Sequence, residues 1–369
     1  MREIAKIFLK LGFFAFGGPA AHIAMMREEV VLKRNWFSEQ QFLDLIGATN
    51  LIPGPNSTEL AIHIGKEKAG WKGMLIAGSC FILPAVLLSG FLAYIYNKYG
   101  ELPHIESFIY GVKPAIIIII LSAVYPLSRQ SLKSKELAII GIVVLALSFF
   151  ITNEILLMFG AGLLFVFYHI IKEKKSLHSI FPFVILTLPV STTISVTNLS
   201  LFWIFLKIGA VLYGSGYVLF AFLDTELVAT GILSRQQLID AIAVGQFTPG
   251  PVTSSVTFIG YQINGIWGAM ISTFAVFLPS FVFVALLNPF LKLMRNSILF
   301  SRFLDAVNIA SVALIVSVAI IMGIEVITDW RSLLIALICL SITFGFKINS
   351  VVIIIVGGFL GYIFKFFFV

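Results

Sequence analysis

The sequence predicts an all-α polytopic membrane protein made of two inverted-topology repeats with Gly/Pro-broken re-entrant helical hairpins. Of its 369 residues, 59% are hydrophobic and only 12% are charged, and the mean hydropathy is +1.03. A soluble protein is nearer half apolar and one quarter charged. Apolar runs of about 20 residues recur, and each is long enough to cross a bilayer as a helix. This composition excludes a soluble enzyme, a disordered chain and a nucleic-acid-binding protein. Membrane lipid is the expected environment of the chain.

The second observation is an internal duplication. Phe8-Leu9-Lys10-Leu11-Gly12 recurs as Phe205-Leu206-Lys207-Ile208-Gly209, and Pro53-Gly54-Pro55 recurs as Pro249-Gly250-Pro251. Matched polar residues, in order, argue against a chance similarity between apolar helices. The duplication predicts a first repeat over residues 1–178, a linking transmembrane segment over 179–200 and a second repeat over 201–369.

The third observation is the charge of the loops, which changes sign between the halves. Loop 27–34 is basic, whereas its counterpart 224–235 is acidic on balance. Loop 98–106 is acidic on balance, whereas its counterpart 292–302 is basic. Because basic loops stay on the cytoplasmic side of a membrane, the two repeats are predicted to lie in opposite orientations.

Full crossings are expected at regular positions in both repeats. The linking segment near 180–197 supplies the odd crossing that inverts the second repeat, which gives about nine crossings in total. The other expected crossings lie near 73–97, 107–126, 136–152, 154–171, 268–290, 303–323, 332–346 and 349–365.

Each repeat opens with segments that glycine and proline interrupt. In the first repeat, segment 3–31 is broken at Gly17-Gly18-Pro19 and segment 39–70 at Pro53-Gly54-Pro55. Proline removes a helical hydrogen bond, and broken backbone is tolerated in a membrane only where it is covered by protein or lines a cavity. Segment 39–65 is predicted to be a re-entrant hairpin. Segment 3–31 is either a second such hairpin or a full crossing.

A new helix is expected to start after each Pro-Gly-Pro, at Asn56-Ser57-Thr58-Glu59 and at Val252-Thr253-Ser254-Ser255. Asn, Ser and Thr are strong N-cap residues, and Asn56 with Glu59 has near capping-box spacing. A helix start offers free N–H groups and a partial positive charge, which suit an anion. Inverted symmetry would bring the two starts together near the membrane midplane. Alternatively, Pro-Gly-Pro only turns the chain, and the hydroxyls satisfy local backbone.

Ionisable residues in apolar segments are further candidates. Lys10 and Lys207 either neutralise a doubly charged anion or reach the headgroups. Glu29 and Glu226 either accept protons or form interfacial salt bridges. Glu59 is either a helix cap or a proton carrier.

Histidines and glycines near the breaks complete the candidates. His22, which follows the first break, is either a proton carrier or structural, since histidine titrates near neutral pH. Glycines predict close helix packing or turns; they are Gly65, Gly70, Gly73, Gly260, Gly265 and Gly268. The chain has no Walker, His-Glu-x-x-His or Cys-x-x-Cys motif, so no metal, cofactor or catalytic residue is predicted.

Two stretches of the first half, Phe16-Gly17-Gly18-Pro19-Ala20-Ala21-His22 and Pro53-Gly54-Pro55-Asn56-Ser57-Thr58-Glu59, closely resemble the chromate ion transporter (CHR) family. In the second half, Tyr213-Gly214-Ser215-Gly216 and Gly265-Ile266-Trp267-Gly268 look like the C-terminal domain of that family. The resemblance covers essentially the whole chain. It implies a long, two-domain oxyanion carrier rather than an enzyme.

Residues and resemblance together predict a secondary active transporter of chromate, or of a sulfate-like tetrahedral oxyanion. It would work by alternating access in the cytoplasmic membrane and confer chromate resistance by efflux. An anion channel and a membrane-embedded chromate reductase are the alternatives, and a homodimer is left open. The expected substrate-binding residues are Lys10, Gly17, Gly18, Asn56, Ser57, Thr58, Lys207, Gly214, Ser215, Thr253, Ser254 and Ser255. The candidates for proton coupling are His22, Glu29, Glu59 and Glu226.

Overall fold

The computed structural model describes residues 1–16, 18–100, 102–173, 197–346 and 348–367. Every regular element in these ranges is a helix, as the sequence predicts. Gly17 and the expected crossing near 180–197 lie outside the described residues. The α-helices are α1 (Arg2–Phe14), α2 (Gly18–Arg27), α3 (Glu39–Thr49), α4 (Asn56–Tyr99), α5 (Pro103–Ser131), α6 (Lys135–Ser148), α7 (Glu154–Glu173), α8 (Asn198–Val211), α9 (Leu219–Leu223), α10 (Arg235–Phe247), α11 (Ser255–Asn296), α12 (Ile298–Val326), α13 (Trp330–Phe346) and α14 (Ser350–Phe367).

The halves of the chain repeat one another at the level of helix boundaries. Helices α5 and α12 are both 29 residues long, and the bounds of α12 are those of α5 plus 195. Helices α3 and α10 begin with the same capping box, in which Ser38 pairs with Gln41 and Ser234 pairs with Gln237. Residues that match at this offset of 195 to 197 are termed repeat-equivalent.

Five helices are long and apolar enough to cross a membrane, within the ranges that the structure describes. They are α4, α5, α7, α11 and α12, and they coincide with five of the expected crossings. The expected crossings near 136–152, 332–346 and 349–365 correspond to the shorter apolar helices α6, α13 and α14. Large apolar side chains such as Leu164 and Ile324 are exposed, as is typical of helices that face lipid. The chain is a multi-pass membrane protein.

Helix α4 doubles back on itself at Gly70. Ala69 and Gly70 have non-helical dihedral angles, and the φ of Gly70 is +63°. A Cβ atom on Gly65 would overlap the carbonyl oxygen of Gly73, although eight residues of straight helix span about 12 Å. The helix therefore has two antiparallel limbs, 56–68 and 71–99. Glycine suits both the turn and the close packing, as the sequence predicts.

Helix α11 reverses in the same way. Asn264 and Gly265 are non-helical, and Gly260 packs against Gly268 as Gly65 does against Gly73. The hydroxyls of Thr257 and Thr273, one on each limb, are 2.7 Å apart. The limbs of α11 are 255–263 and 266–296.

The interrupted segments of the first half are helical hairpins. In the α1–α2 hairpin, Arg34 pairs with Glu3 at the open end, at 3.2 Å. In the hairpin of α3 with the first limb of α4, the Lys68 ammonium lies 4.8 Å from the Trp36 ring at the open end. The tip of the α1–α2 hairpin is the break that follows α1 at 15–16, and the tip of the second hairpin is the Pro-Gly-Pro turn within 50–55.

Candidate functional site

The tips of the hairpins meet across the two repeats through reciprocal backbone hydrogen bonds. The N–H of Gly54 donates to the carbonyl oxygen of Leu212 at 2.7 Å. The N–H of Gly250 donates to the carbonyl oxygen of Ala15 at 2.9 Å. Gly54 is repeat-equivalent to Gly250, and Ala15 to Leu212. Each Pro-Gly-Pro turn therefore docks on the first break of the other repeat.

A cavity of about 420 Å³, here called cavity A, opens beside these tips. Asn50 and Asn56 line it from the first repeat, on either side of Pro-Gly-Pro. Tyr213, Gly214 and Ser215 line it from the first break of the second repeat. Its volume is in the range of small-ligand sites, and amide, hydroxyl and backbone groups provide its polar surface.

Helix α12 and the end of α5 complete cavity A. Asn308 and Ser311 of α12 contribute an amide and a hydroxyl, and the Ser311 hydroxyl donates to the Tyr213 carbonyl oxygen at 3.1 Å. Lys133 follows α5 and pairs with Asp305 of α12 at 2.6 Å. The sequence alone does not predict these residues as part of the site. The sequence feature that could have identified the residues of α12 is the presence of polar side chains in this otherwise apolar helix.

The start of α4 corrects one expectation. The predicted helix does begin at Asn56, but Pro55 occupies the N-cap position and no side chain caps the helix. The Asn56 amide instead donates to the Asn50 side chain across the turn, at 3.0 Å. Asn56 and Glu59 therefore form no capping box. The helix start keeps free N–H groups, because proline offers no side-chain acceptor.

The residues that follow Asn56 point into the protein. Ser57, Thr58 and Glu59 are almost fully buried and do not line cavity A. Among the described residues, neither carboxylate oxygen of Glu59 has a hydrogen-bond partner, and the same holds for the Thr58 hydroxyl. The Glu59 carboxylate lies against Gly54 and close to the Ser280 hydroxyl of the other repeat.

The second helix start is not brought to cavity A. The new helix starts over Val252–Ser255, as expected: residues Val252–Ser254 form a 3₁₀ turn after Pro251 that runs directly into α11 at Ser255. Thr253, Ser254 and Ser255 are fully buried. The Ser254 hydroxyl lies 3.4 Å from that of Ser89 in the second limb of α4. Of the two helix starts, only that of α4 at Asn56 lines cavity A.

Lys10 and Lys207 form equivalent ion pairs away from cavity A. Lys10 contacts Glu29 at 2.9 Å, and Lys207 contacts Glu226 at 2.5 Å. Arg34 also contacts Glu29, at 2.5 Å. Burial raises the pKa of the Glu29 carboxyl, but hydrogen bonds from Lys10 and Arg34 outweigh it and lower this pKa to about 2. In this structure the two glutamates therefore serve as salt-bridge partners.

Gly18 and His22 lie at the first break. Gly18 has a φ of +78°, and a Cβ atom there would lie 3.8 Å from the Tyr217 hydroxyl of the second repeat. His22 is buried, and its Nε2 is within hydrogen-bond distance of the Ala15 carbonyl oxygen, at 3.1 Å. That oxygen also accepts the Gly250 hydrogen bond. His22 thus supports the contact between the repeats.

Comparison with known proteins identifies the family. The family described as "Chromate transporter" matches residues 2–166 and 199–362. The "Probable chromate transport protein" of Synechococcus elongatus is 31% identical over 99% of this chain and 95% of its own length. The "Chromate transport protein" of Cupriavidus metallidurans is 31% identical over 97% of this chain and 91% of its own length. No solved structure matches the chain significantly. The resemblance found in the sequence is confirmed: the chain belongs to the chromate transporter family and is a transporter, not an enzyme.

Proposed function

We propose that this protein is a secondary active transporter that moves chromate, or a sulfate-like tetrahedral oxyanion, across the cytoplasmic membrane by alternating access. Efflux of chromate would confer resistance. The observation that carries this proposal is cavity A, a polar cavity between the two repeats at the start of a broken helix. Family membership supports chromate as the substrate, since relatives along nearly the whole chain are named for chromate transport.

The anion binds at the start of α4. The N–H groups of Thr58 and Glu59 bond to the Pro55 carbonyl oxygen, whereas those of Asn56 and Ser57 precede the first helical acceptor. The free N–H of Asn56, which lines cavity A, and the positive end of the helix face an anion there. The Asn56 side chain and the Gly214 and Ser215 region hold further oxygens. A tetrahedral dianion needs such donors from several directions.

The repeats are inverted, and their broken hairpins are re-entrant. Matching helix bounds, matching capping boxes and the reciprocal hydrogen bonds of Gly54 and Gly250 support an approximate two-fold relation. The sign change of the loop charges supports opposite orientations in the membrane. Hairpin tips that meet inside the protein support re-entrance, since broken backbone must be covered there. Residues 179–200 link the repeats in this arrangement.

Transport is coupled to protons through Glu59. Its carboxylate is buried without a hydrogen-bond partner among the described residues, next to the tip that carries the site. His22, Glu29 and Glu226 are engaged in contacts that stabilise the hairpins. The roles predicted for Lys10, Lys207 and residues 253–255 in substrate binding stay predictions.

Uptake of labelled chromate and sulfate into proteoliposomes, with and without a pH gradient, tests the proposal. We expect saturable chromate flux that sulfate inhibits and that the pH gradient alters. A chromate flux that does not saturate would indicate a channel. No flux of either anion, in protein shown to be folded by a cooperative thermal transition, would refute the substrate assignment.

A further inference from the structure

A second cavity, here called cavity B, lies between α5, α10, α12 and α14 and has a volume of about 190 Å³. Seven of its nine lining residues are repeat-equivalent to residues that line cavity A. Examples are Tyr110 with Asp305, Lys113 with Asn308 and Thr328 with Lys133. The two cavities are therefore lined by equivalent surfaces of the two repeats. Cavity A reaches the helix breaks, whereas none of the break residues lines cavity B.

One element, α5 with the residues that follow it, brings a lysine to each cavity. Lys113 lines cavity B, and Lys133 lines cavity A. Twenty residues of helix span about 30 Å, which is close to the thickness of the hydrocarbon core of a bilayer. The residue that is repeat-equivalent to Lys113 is Asn308, which lines cavity A. The residue that is repeat-equivalent to Lys133 is Thr328, which lines cavity B. Neither lysine is therefore duplicated. Each side of the protein thus receives one lysine from this element.

Both lysines are held by an aspartate of the second repeat. Lys133 lies 2.6 Å from Asp305, and Lys113 lies 3.4 Å from Asp240. The Lys113 ammonium also donates to the Gln236 side chain at 2.7 Å. An ammonium group has three N–H donors, so each lysine can hold its aspartate and still donate to an anion in its cavity.

Other charged groups on the wall of cavity B are paired with one another or with neighbours. Lys365 contacts Glu106 at 2.8 Å, and Glu325 contacts Arg235 at 2.5 Å. Lys113 differs from Lys365 because its carboxylate partner, Asp240, is buried and also accepts a hydrogen bond from Tyr96. The Asp240 charge is thus shared between two donors.

We propose that Lys133 and Lys113 bind the divalent oxyanion on opposite sides of the membrane. Lys133 receives it in cavity A, in the state seen here, and Lys113 receives it in cavity B when that side opens. The inference rests on the proposed function, because it assigns the two ends of one alternating-access pathway. It adds two binding residues that lie outside the broken hairpins.

Charge replacement from one side of the membrane tests the inference. Lys133→Cys and Lys113→Cys are made in a parent that carries Cys80→Ala and Cys339→Ala, which removes both native cysteines. Right-side-out and inside-out membrane vesicles are assayed for chromate transport. They are then treated with the impermeant cation trimethylammonioethyl methanethiosulfonate, which restores a positive charge. Lys172→Cys is the matched control, since Lys172 pairs with Glu136 at 3.6 Å and lines neither cavity.

We expect each variant to raise the KM for chromate about tenfold when the anion is offered from the side of its own cavity. The reagent should restore the KM of Lys133→Cys from one side only, and that of Lys113→Cys from the other. Lys172→Cys should keep the parent KM. Restoration of both variants from the same side would overturn the inference, as would complete labelling that leaves the KM raised.

Chromate transport by the cysteine-free parent distinguishes a failure of the proposed function from a failure of the lysine assignment. If the parent moves no chromate, the proposed function fails, and the sidedness of labelling alone tests whether the lysines face opposite sides. If the parent transports chromate and both variants keep its KM, the lysine assignment fails while the proposed function stands.

Discussion

The backbone N–H of Gly54 donates to the carbonyl oxygen of Leu212 at 2.7 Å, which joins the Pro-Gly-Pro turn of the first repeat to the first break of the second. The equivalent bond, from Gly250 to Ala15, is 2.9 Å long. Buried backbone donors and acceptors need partners, and here each repeat supplies what the other lacks. A motion of one repeat against the other must therefore keep or exchange these two bonds.

Gly54→Ala should destabilise the protein and abolish transport. Gly54 has a φ of +143°, and a Cβ atom there would overlap the Glu59 carboxylate and crowd the Ser280 hydroxyl. Overpacking of this kind costs about 1–3 kcal/mol, and the backbone strain adds to it. Thermal unfolding in detergent and chromate uptake measure the two effects. Gly160→Ala in α7 is the control, because a Cβ atom there would meet open space and Gly160 lines neither cavity; it should unfold at or above the wild-type temperature.

An unchanged unfolding temperature and unchanged transport in Gly54→Ala would show that the turn can relax away from Glu59 and Ser280. The contact between the repeats would then not depend on the absence of a side chain at Gly54.

Local features of the fold could be predicted because proline and glycine act on the residues beside them. Pro53-Gly54-Pro55 ends one helix and starts another at Asn56, as expected. Gly70 makes a turn, and Gly65 packs closely against Gly73. What failed was the cap: Asn56 has strong N-cap propensity, but the preceding proline already occupies that position. Propensity ranks residue types and does not fix the register of a turn.

Asn56, Gly214 and Ser215 were predicted for the site and line cavity A. The rest of the lining could not be predicted, because it depends on packing between distant segments. Asn308 and Asp305 come from a helix more than 200 residues beyond Asn56, and no local pattern aligns them. Lys10 and Lys207 suggested substrate binding because they lie in apolar runs. That role stays a prediction; the hairpin fold brings Glu29 and Glu226, 19 residues away in each repeat, to these lysines.

Asn56→Ala should raise the KM for chromate about tenfold without loss of folding, because one good hydrogen bond to an anion is worth about 1.5–3 kcal/mol. Asn56 lines cavity A beside the free N–H groups of α4, and its amide also bridges to Asn50. Initial rates of chromate uptake measure the KM. Gln40→Ala, at an exposed position of α3, should leave it unchanged. Equal KM values for wild type and Asn56→Ala would place the anion elsewhere in the cavity.

Glu29→Gln should lower thermal stability at neutral pH and leave the pH response of transport intact. Glu29 lies in the π-helical turn after α2, and its pKa of about 2 is below the ordinary value of 4.5. A depressed folded-state pKa stabilises the protein above the ordinary pKa, and this stabilisation is lost as pH falls toward the lowered value. The difference in unfolding temperature between wild type and variant should therefore be full at pH 7 and shrink between about pH 4.5 and 2.

Loss of the pH response in a folded Glu29→Gln protein would identify Glu29 as a proton carrier. A stability difference that grows on acidification would contradict the ion-pair account. Glu226→Gln is the matched variant in the second repeat, since Glu226 holds Lys207 as Glu29 holds Lys10.

Glu59, in the first limb of α4, is a buried acid with no hydrogen-bond partner among the described residues. An unpaired charge inside a membrane protein is costly, and such residues mark ion and proton pathways. His63, one turn further along α4, is also buried, and neither of its ring nitrogens has a described partner. Tyr213 and Ser280 approach Glu59 from the second repeat, so its surroundings change if the repeats move.

Glu59→Gln should keep chromate transport but remove its dependence on the pH gradient. The amide has nearly the shape of the carboxylic acid but cannot take up and release a proton. When proton transfer is part of the transport cycle, the ratio of the transport rates with and without the pH gradient departs from one. In Glu59→Gln this ratio should fall to about one. Proteoliposome uptake measures that ratio. Glu67→Gln, at an exposed position on the same limb of α4, should keep the wild-type ratio. A Glu59→Gln protein that transports chromate with the full pH response would assign the coupling to another residue, because no proton could then be carried at position 59.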